Sequence, residues 1–281
     1  MKIKEILEKG ILELQDVEDS KLKVKIILAD ILKVKKEYFI IHYTDEISNE
    51  YVQEFFEKIE KLKQGMPVQY IINSQEFMGL NFYVDENVLI PQPDTEILVE
   101  ETIKILNENF QNIKSKINVL DMCTGSGAIG ISIAKLVENA NVVVSDISNE
   151  ALKIAKKNAN SNDVKIELIH SDLFEKIPLN TKFNIIASNP PYIKTDVINN
   201  LSKEVKNEPF IALDGGNDGL MFYRKIIQNA KKYLESNGFL ILEIGYDQKN
   251  DVTQLLEKYE YKKIYSKKDF GGNDRIVVAQ I

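Results

Sequence analysis

The chain has 281 residues, 44% apolar and 28% charged, which allows one large domain and a small one in an ordinary soluble protein. Its 36 basic and 43 acidic residues leave a net charge of −7, which argues against a broad phosphate-binding face, because non-specific nucleic-acid affinity comes from clustered Lys and Arg. One cysteine, Cys123, excludes an intrachain disulfide and fits a reducing compartment; His42 and His170 lie far apart, without zinc spacing, and no metal is expected. The N-terminus mixes charges into its apolar positions, unlike a signal peptide, and no apolar run is long enough to span a membrane, so the cytoplasm is the expected compartment.

In chain order, residues 1–75 read as helical. Ile3, Ile6, Leu7, Ile11 and Leu14 recur at helical spacing, as do Leu22, Ile26, Ile27 and Leu32, then Val52, Phe55, Phe56, Ile59 and Leu62. The stretch holds 12 lysines, no arginine and 14 acids, so it is not a basic nucleic-acid arm. It reads either as a bundle that stabilises its neighbour or as a docking surface for a macromolecule; a substrate-docking domain is the expectation carried forward. Residues 76–95 read as a hairpin linker, with 77–84 paired to 88–90 through Asp85-Glu86-Asn87 and ended by Pro91 and Pro93. Asp94, Thr95 and Glu96 then open a helix, with acids at the favourable end of its dipole.

Residues 96–281 alternate strand and helix. Strands are predicted at 118–121, 142–146, 166–169, 183–187, 239–244 and 275–279, and helices from Ala128, over 149–160, over 219–234 and near 252–259. This is the βαβ rhythm of an α/β, doubly wound, mostly parallel sheet.

The loop Asp121-Met122-Cys123-Thr124-Gly125-Ser126-Gly127 joins the first strand to its helix. Gly125 and Gly127 allow a tight turn and close approach to a ligand. Residues 125–130 match G-x-G-x-x-G, and Asp146 ends the next strand 19 positions after Gly127, where an acid accepts from both ribose hydroxyls of an adenosine ligand. NAD would set a pyrophosphate beside Asp121, an unpaired repulsion. S-adenosylmethionine carries no phosphate, and its sulfonium and ammonium groups suit an acid there, so it is the expected cofactor. Ser171-Asp172-Leu173-Phe174 follows the third strand, where an adenine would lie; Asp172 is placed to accept from its amino group, and Leu173 or Phe174 to cover its face, with core packing an equal reading for Phe174.

The turn Asn189-Pro190-Pro191-Tyr192 closes the strand at 183–187. Each proline removes a backbone donor and fixes φ, so the carbonyls of the turn are free to point into a cleft. The Asn189 side-chain carbonyl and the Pro190 carbonyl beside the Tyr192 ring suit a planar –NH2 group. A rigid loop is the plainer alternative.

Together, residues 121–130, Asp146, Ser171-Asp172 and 188–193 resemble the class I methyltransferases that modify planar amino groups. More narrowly, the chain resembles the peptide chain release factor glutamine methyltransferases (HemK/PrmC). The likeness runs nearly end to end, through residues 65–71, 89–96, Glu208-Pro209, 215–220, 242–245 and 268–275. It implies a class I fold with a small N-terminal helical domain, and methyl transfer from S-adenosylmethionine to the amide nitrogen of the Gly-Gly-Gln glutamine in class 1 release factors. It implies cofactor contacts from Asp121, Cys123, Thr124, Gly125, Ser126, Gly127, Asp146, Asp172, Leu173 and Asn189. Asn189, Pro190, Pro191 and Tyr192 would hold the substrate, with Asn189, Pro190 and Tyr192 catalytic. Neither a membrane nor stable nucleic-acid binding is expected, and a monomer is favoured. Four positions depart from the family pattern: Gln92 for the usual Arg, Asp94 for Glu, Cys123 for the first loop glycine, and Leu173 for a common aromatic. The nearest rival is an N6-adenine or guanine-N2 methyltransferase using the same turn, which needs a basic channel and must extrude a base. A rival of another class is a nucleotide-binding module without catalysis.

Overall fold

The computed structural model describes residues 1–110 and 116–281, which divide into two compact units. Met1–Ser74 with Ser202–Asn207 forms the first; Gln75–Leu201 with Glu208–Ile281 forms the second.

The first unit is helical, over Ile3–Glu13, Ser20–Leu32, Asn49–Lys63 and Val68–Ile72. Ile6, Leu7, Val24, Ile27, Leu28 and Phe55 meet in its core with no solvent exposure. Each such side chain contributes about 1.5–3 kcal/mol by leaving water. Lys33 and Asn73 end two of these helices in the left-handed conformation. The returning segment Ser202–Asn207 is tied in by a Lys23–Glu204 ion pair and by Asn207, whose Nδ2 donates to the Gly65 carbonyl at 2.9 Å.

The second unit opens with an antiparallel hairpin, β1 (Gln75–Phe77) and β2 (Leu80–Phe82). The wider hairpin expected from sequence, with 88–90 as its second arm, does not form. The chain reverses at Met78 and Gly79, whose φ values of +52° and +71° close a two-residue turn. Asp85 instead organises a local turn, its Oδ1 accepting from the Asn87 N–H at 3.0 Å. The hairpin is part of the second unit's core, with Phe77 and Phe82 edge to face.

Seven strands build the main sheet: β3 (Ile117–Met122), β4 (Ala140–Asp146), β5 (Glu167–His170), β6 (Phe183–Ser188), β7 (Leu234–Glu243), β8 (Lys262–Lys268) and β9 (Asp274–Gln280). Their order is β5-β4-β3-β6-β7-β9-β8, parallel through β7 and antiparallel in the last two pairings. Alternate residues feed opposite faces: Val119 enters one core cluster, Leu120 and Met122 the other. Edge strand β8 escapes the sequence reading because its lysines break the apolar pattern.

Sheet register places the site. Met122 on β3 pairs with Ser145 on β4 and with Ser188 on β6, so these strands end level and their loops leave from one edge. Strand order reverses at β3, the crevice where open α/β sheets bind ligands. Gly130 lets the helix Ala128–Leu136 lie close to this edge: a Cβ there would sit 2.6 Å from Val144 Cγ1 and 3.0 Å from Asp121 Oδ2. Gly130→Ala is therefore expected to destabilise the second unit by about 1–3 kcal/mol, the cost of overpacking. Denaturant unfolding at unchanged slope measures it; a midpoint equal to the parent's would refute the close packing.

Candidate cofactor and amide site

Asp121 has no solvent exposure. Its Oδ2 accepts from the Thr124 hydroxyl and, at 2.9 Å, from the Gly130 N–H, so one carboxylate bends the loop onto its helix. Burial pushes its pKa up to about 7 against these two donors. The loop contains three left-handed residues, Cys123 (φ +61°), Gly125 (+54°) and Gly127 (+85°). Cys123 stands where the family pattern has glycine, and its backbone adopts the conformation that glycine enters freely. Its side chain packs on the second core cluster, and burial pushes the thiol pKa up. Asn158 holds the loop from behind, with Nδ2 donating to the Ser126 and Tyr83 carbonyls.

Asp146 bridges strand end and loop. Its Oδ2 accepts from the Gly125 N–H and its Oδ1 from the Ser148 N–H, both at 2.9 Å. Ser171 shapes the third loop: its hydroxyl donates to the Leu173 carbonyl at 2.8 Å and accepts from the Lys176 N–H at 2.9 Å. Leu173 is thereby held at φ +48°. Phe174 turns away into the core, stacked on Tyr233 with ring centres 4.6 Å apart.

At the end of β6, Asn189 Nδ2 donates to Thr95 Oγ1 at 3.3 Å, which turns the amide oxygen to the other side. The Tyr192 hydroxyl donates to Glu243 Oε1 at 3.3 Å, and burial with that carboxylate nearby keeps the phenol neutral. The turn's backbone is clamped by Gln248, whose Nε2 donates to the Tyr192 carbonyl at 2.9 Å and whose Oε1 accepts from the Gly245 N–H.

These elements surround one cleft. Cys123, Gly125, Asp146, Asp172 and Leu173 line it together with Asn189 and Pro191. Asp121, Thr124, Ser126 and Gly127 stand behind the lining and shape the loop. Pro190 and Tyr192 are likewise outside it, and the Tyr192 ring packs on the core. Two walls carried no sequence argument: Asn87, Val88 and Leu89 on one side, Pro209, Ile211 and Ala212 on the other. Glu208 ties them, its Oε2 accepting from the Ile90 N–H at 2.9 Å. The signal was present in the Leu89-Ile90-Pro91 and Glu208-Pro209 segments, quoted above without a role. The lining carries two acids, Asp146 and Asp172, against one base, Lys225, a balance that suits a cationic ligand better than a pyrophosphate.

Residues 5–72 match the PrmC N-terminal domain and residues 98–205 the Methyltransferase small domain. A release factor glutamine methyltransferase of Clostridium acetobutylicum is 42% identical, over 99% of this chain and 98% of its own. The chain belongs to that family. A second member, from Buchnera aphidicola, is 40% identical over 100% of this chain and 99% of its own. Among solved structures, the hMettl16 catalytic domain gives a TM-score of 0.57 at 14% identity, over 72% of this chain and 76% of that one. The T. thermophilus 16S rRNA methyltransferase RsmC, solved with AdoMet and guanosine, gives 0.53 at 19%, over 74% and 49%. At such identities these two show the fold alone.

The other departures of this family member have local explanations. Gln92 Nε2 donates to the Ile90 carbonyl at 3.0 Å, and Asp94 pairs with Arg275 at 3.1 Å. The buried Glu208 carries a titration: burial lifts its carboxyl from 4.5 to about 7. Between those values the folded chain keeps a proton that the unfolded chain has lost. The stability Glu208 contributes is thus full below pH 4.5 and disappears as pH rises through about 7. Glu208→Gln keeps an acceptor for Ile90 and does not titrate. Its stability relative to the parent should rise between pH 5 and pH 8 by about 1–3 kcal/mol. Denaturant midpoints at the two pH values check this, and a constant difference would refute it.

Proposed function

We propose that the chain transfers a methyl group from S-adenosylmethionine to the side-chain amide nitrogen of the glutamine in the Gly-Gly-Gln motif of class 1 peptide chain release factors. One observation carries the mechanistic reading: Asn189 Nδ2 donates to Thr95, which leaves Oδ1 as the end of the amide that meets the cleft as an acceptor. The family relationship supports the substrate. The acidic cleft lining and the net charge of −7 weigh against the nucleic-acid rival.

S-adenosylmethionine, when bound, supplies an electrophilic methyl carried on a sulfonium. Asp146 would accept from its ribose, since each carboxylate oxygen has a lone pair beyond the one taken by the loop. Asp172 and Leu173 would flank the adenine. Asn189 Oδ1, at the cleft wall, would take a hydrogen of the glutamine amide. That arrangement aims the nitrogen lone pair into the cleft and pulls electron density toward nitrogen, which offsets its loss to the amide carbonyl. Tyr192 acts by packing the turn against the core. Once methylated the nitrogen is acidic, and its proton leaves to solvent without a dedicated base. The Met1–Ser74 unit would dock the release factor, in the cytoplasm where that partner works.

Asp146→Ala should weaken S-adenosylmethionine binding by about 1.5–3 kcal/mol, the worth of charge-assisted hydrogen bonds. Calorimetry reads this directly, and an unchanged dissociation constant in a folded variant would count against the ribose role.

Asn189→Ala should leave cofactor binding largely intact and lower turnover on release factor by roughly a hundredfold to a thousandfold. Asn189→Asp keeps an acceptor and should retain more activity than alanine. A methyl-transfer assay on release factor, with DNA and RNA as controls, decides the matter. Parent-rate methylation by both variants would make the turn purely structural; transfer to nucleic acid instead would favour the rival.

A further inference from the structure

We propose that Glu243, acting through Thr95, fixes which end of the Asn189 amide faces the cleft, so that Oδ1 and not Nδ2 meets the substrate nitrogen. The inference rests on the function proposed above and names two positioning residues for it.

An asparagine amide turned by half a rotation keeps its shape and exchanges donor for acceptor. In the donor orientation, Asn189 would oppose the substrate N–H groups it must receive. Thr95 accepts from Nδ2, yet a hydroxyl both donates and accepts, so Thr95 alone would tolerate either orientation. The destination of its single hydrogen decides. Thr95 is buried, and its hydroxyl interacts with the Glu243 carboxylate, itself 2% exposed. Glu243 Oε1 already takes the Tyr192 hydroxyl, while Oε2 is buried with no hydrogen-bond partner among the described residues and has capacity for the Thr95 hydrogen. An ionised carboxylate only accepts. It draws the Thr95 hydrogen toward itself, turns the Thr95 lone pair to Asn189, and leaves Nδ2 as the sole matching end.

Charge on Glu243 therefore sets the direction of the chain. Burial raises its carboxyl to about 7, while Thr95, Arg275 and Tyr192 pull it down and Asp94 pushes it up. Arg275 is shared with Asp269 and Asp94, and Tyr192 is neutral. When Glu243 takes a proton it donates to Thr95, the Thr95 hydrogen is released toward Asn189, and the donor orientation becomes as good as the acceptor one.

The test uses full-length enzyme with release factor and S-adenosylmethionine, comparing the parent with Glu243→Gln, Thr95→Val and Thr95→Ser. Glu243→Gln and Thr95→Val should lower kcat by about tenfold to a hundredfold, less than loss of the direct contact at Asn189. The calorimetric affinity for S-adenosylmethionine should stay at the parent value. Thr95→Ser keeps the hydroxyl and should recover most of the turnover. Parent kcat should fall below about pH 7, where the buried Asp121 also takes a proton, and the limb should be shallower in Glu243→Gln. Parent-like kcat in both Glu243→Gln and Thr95→Val overturns the relay, as does a pH limb unchanged in Glu243→Gln. If Glu243→Gln does not fold, the Thr95 pair still decides, and serine as poor as valine overturns the proposal. A parent that binds S-adenosylmethionine but leaves release-factor glutamine unmethylated refutes the functional reading, and the relay falls with it.

Discussion

A carboxylate sealed from water at the end of β3 sets the geometry of everything around it. Asp121 receives the Thr124 hydroxyl and the Gly130 N–H on one oxygen, joining strand, loop and helix at a point. The loop cannot open without stranding that carboxylate in the core, where an unpaired charge is costly. Thr124 in turn donates its N–H to the Ser145 carbonyl, and Gly125 meets Asp146, so the β3 loop fixes the β4 end as well. On the other side, the Ser188 hydroxyl donates to the Met122 carbonyl at 2.7 Å, just before Asn189. Three strand ends thus share one rigid frame.

That frame separates two jobs within a few residues. Side chains that face the cleft carry simple chemistry: two carboxylates, two amides, one lysine, a thiol, serine hydroxyls and apolar walls. Side chains behind them, Asp121, Asn158 and Gln248, are buried, and each makes two or more hydrogen bonds. Catalysis by orientation needs this division. In the function proposed above the site works by orientation, so its acceptors must not move, and fixed dipoles gain most in a water-poor setting.

Much of this was legible in the sequence because it is local. The βαβ alternation, the glycine loop, Asp146 and the Asn-Pro-Pro-Tyr turn all declare themselves within a few residues, and the sheet sets them along one edge as the pattern implies. What could not be read depends on long-range pairing. No local pattern says that 202–207 returns to the first unit, that Glu208 reaches Ile90, or that Thr95 lies against Asn189. The hairpin was misplaced because methionine rarely takes a left-handed turn, so Met78 hid the reversal. Asp121 looked like a ligand contact because its charge was legible and its burial was not.

The sheet ends at β8, which has one strand neighbour among the described residues and so presents a sheet edge on its far side. Such an edge is a template for pairing with another chain. Lys262, Lys263, Lys267 and Lys268 stand at its two ends, and among the described residues only Lys267 is drawn into an ion pair, with the buried Glu101. A second copy approaching edge to edge would bring lysine against lysine before any backbone bond could form. The same residues that hid this strand from the hydrophobic pattern set positive charge against any partner strand at its open side.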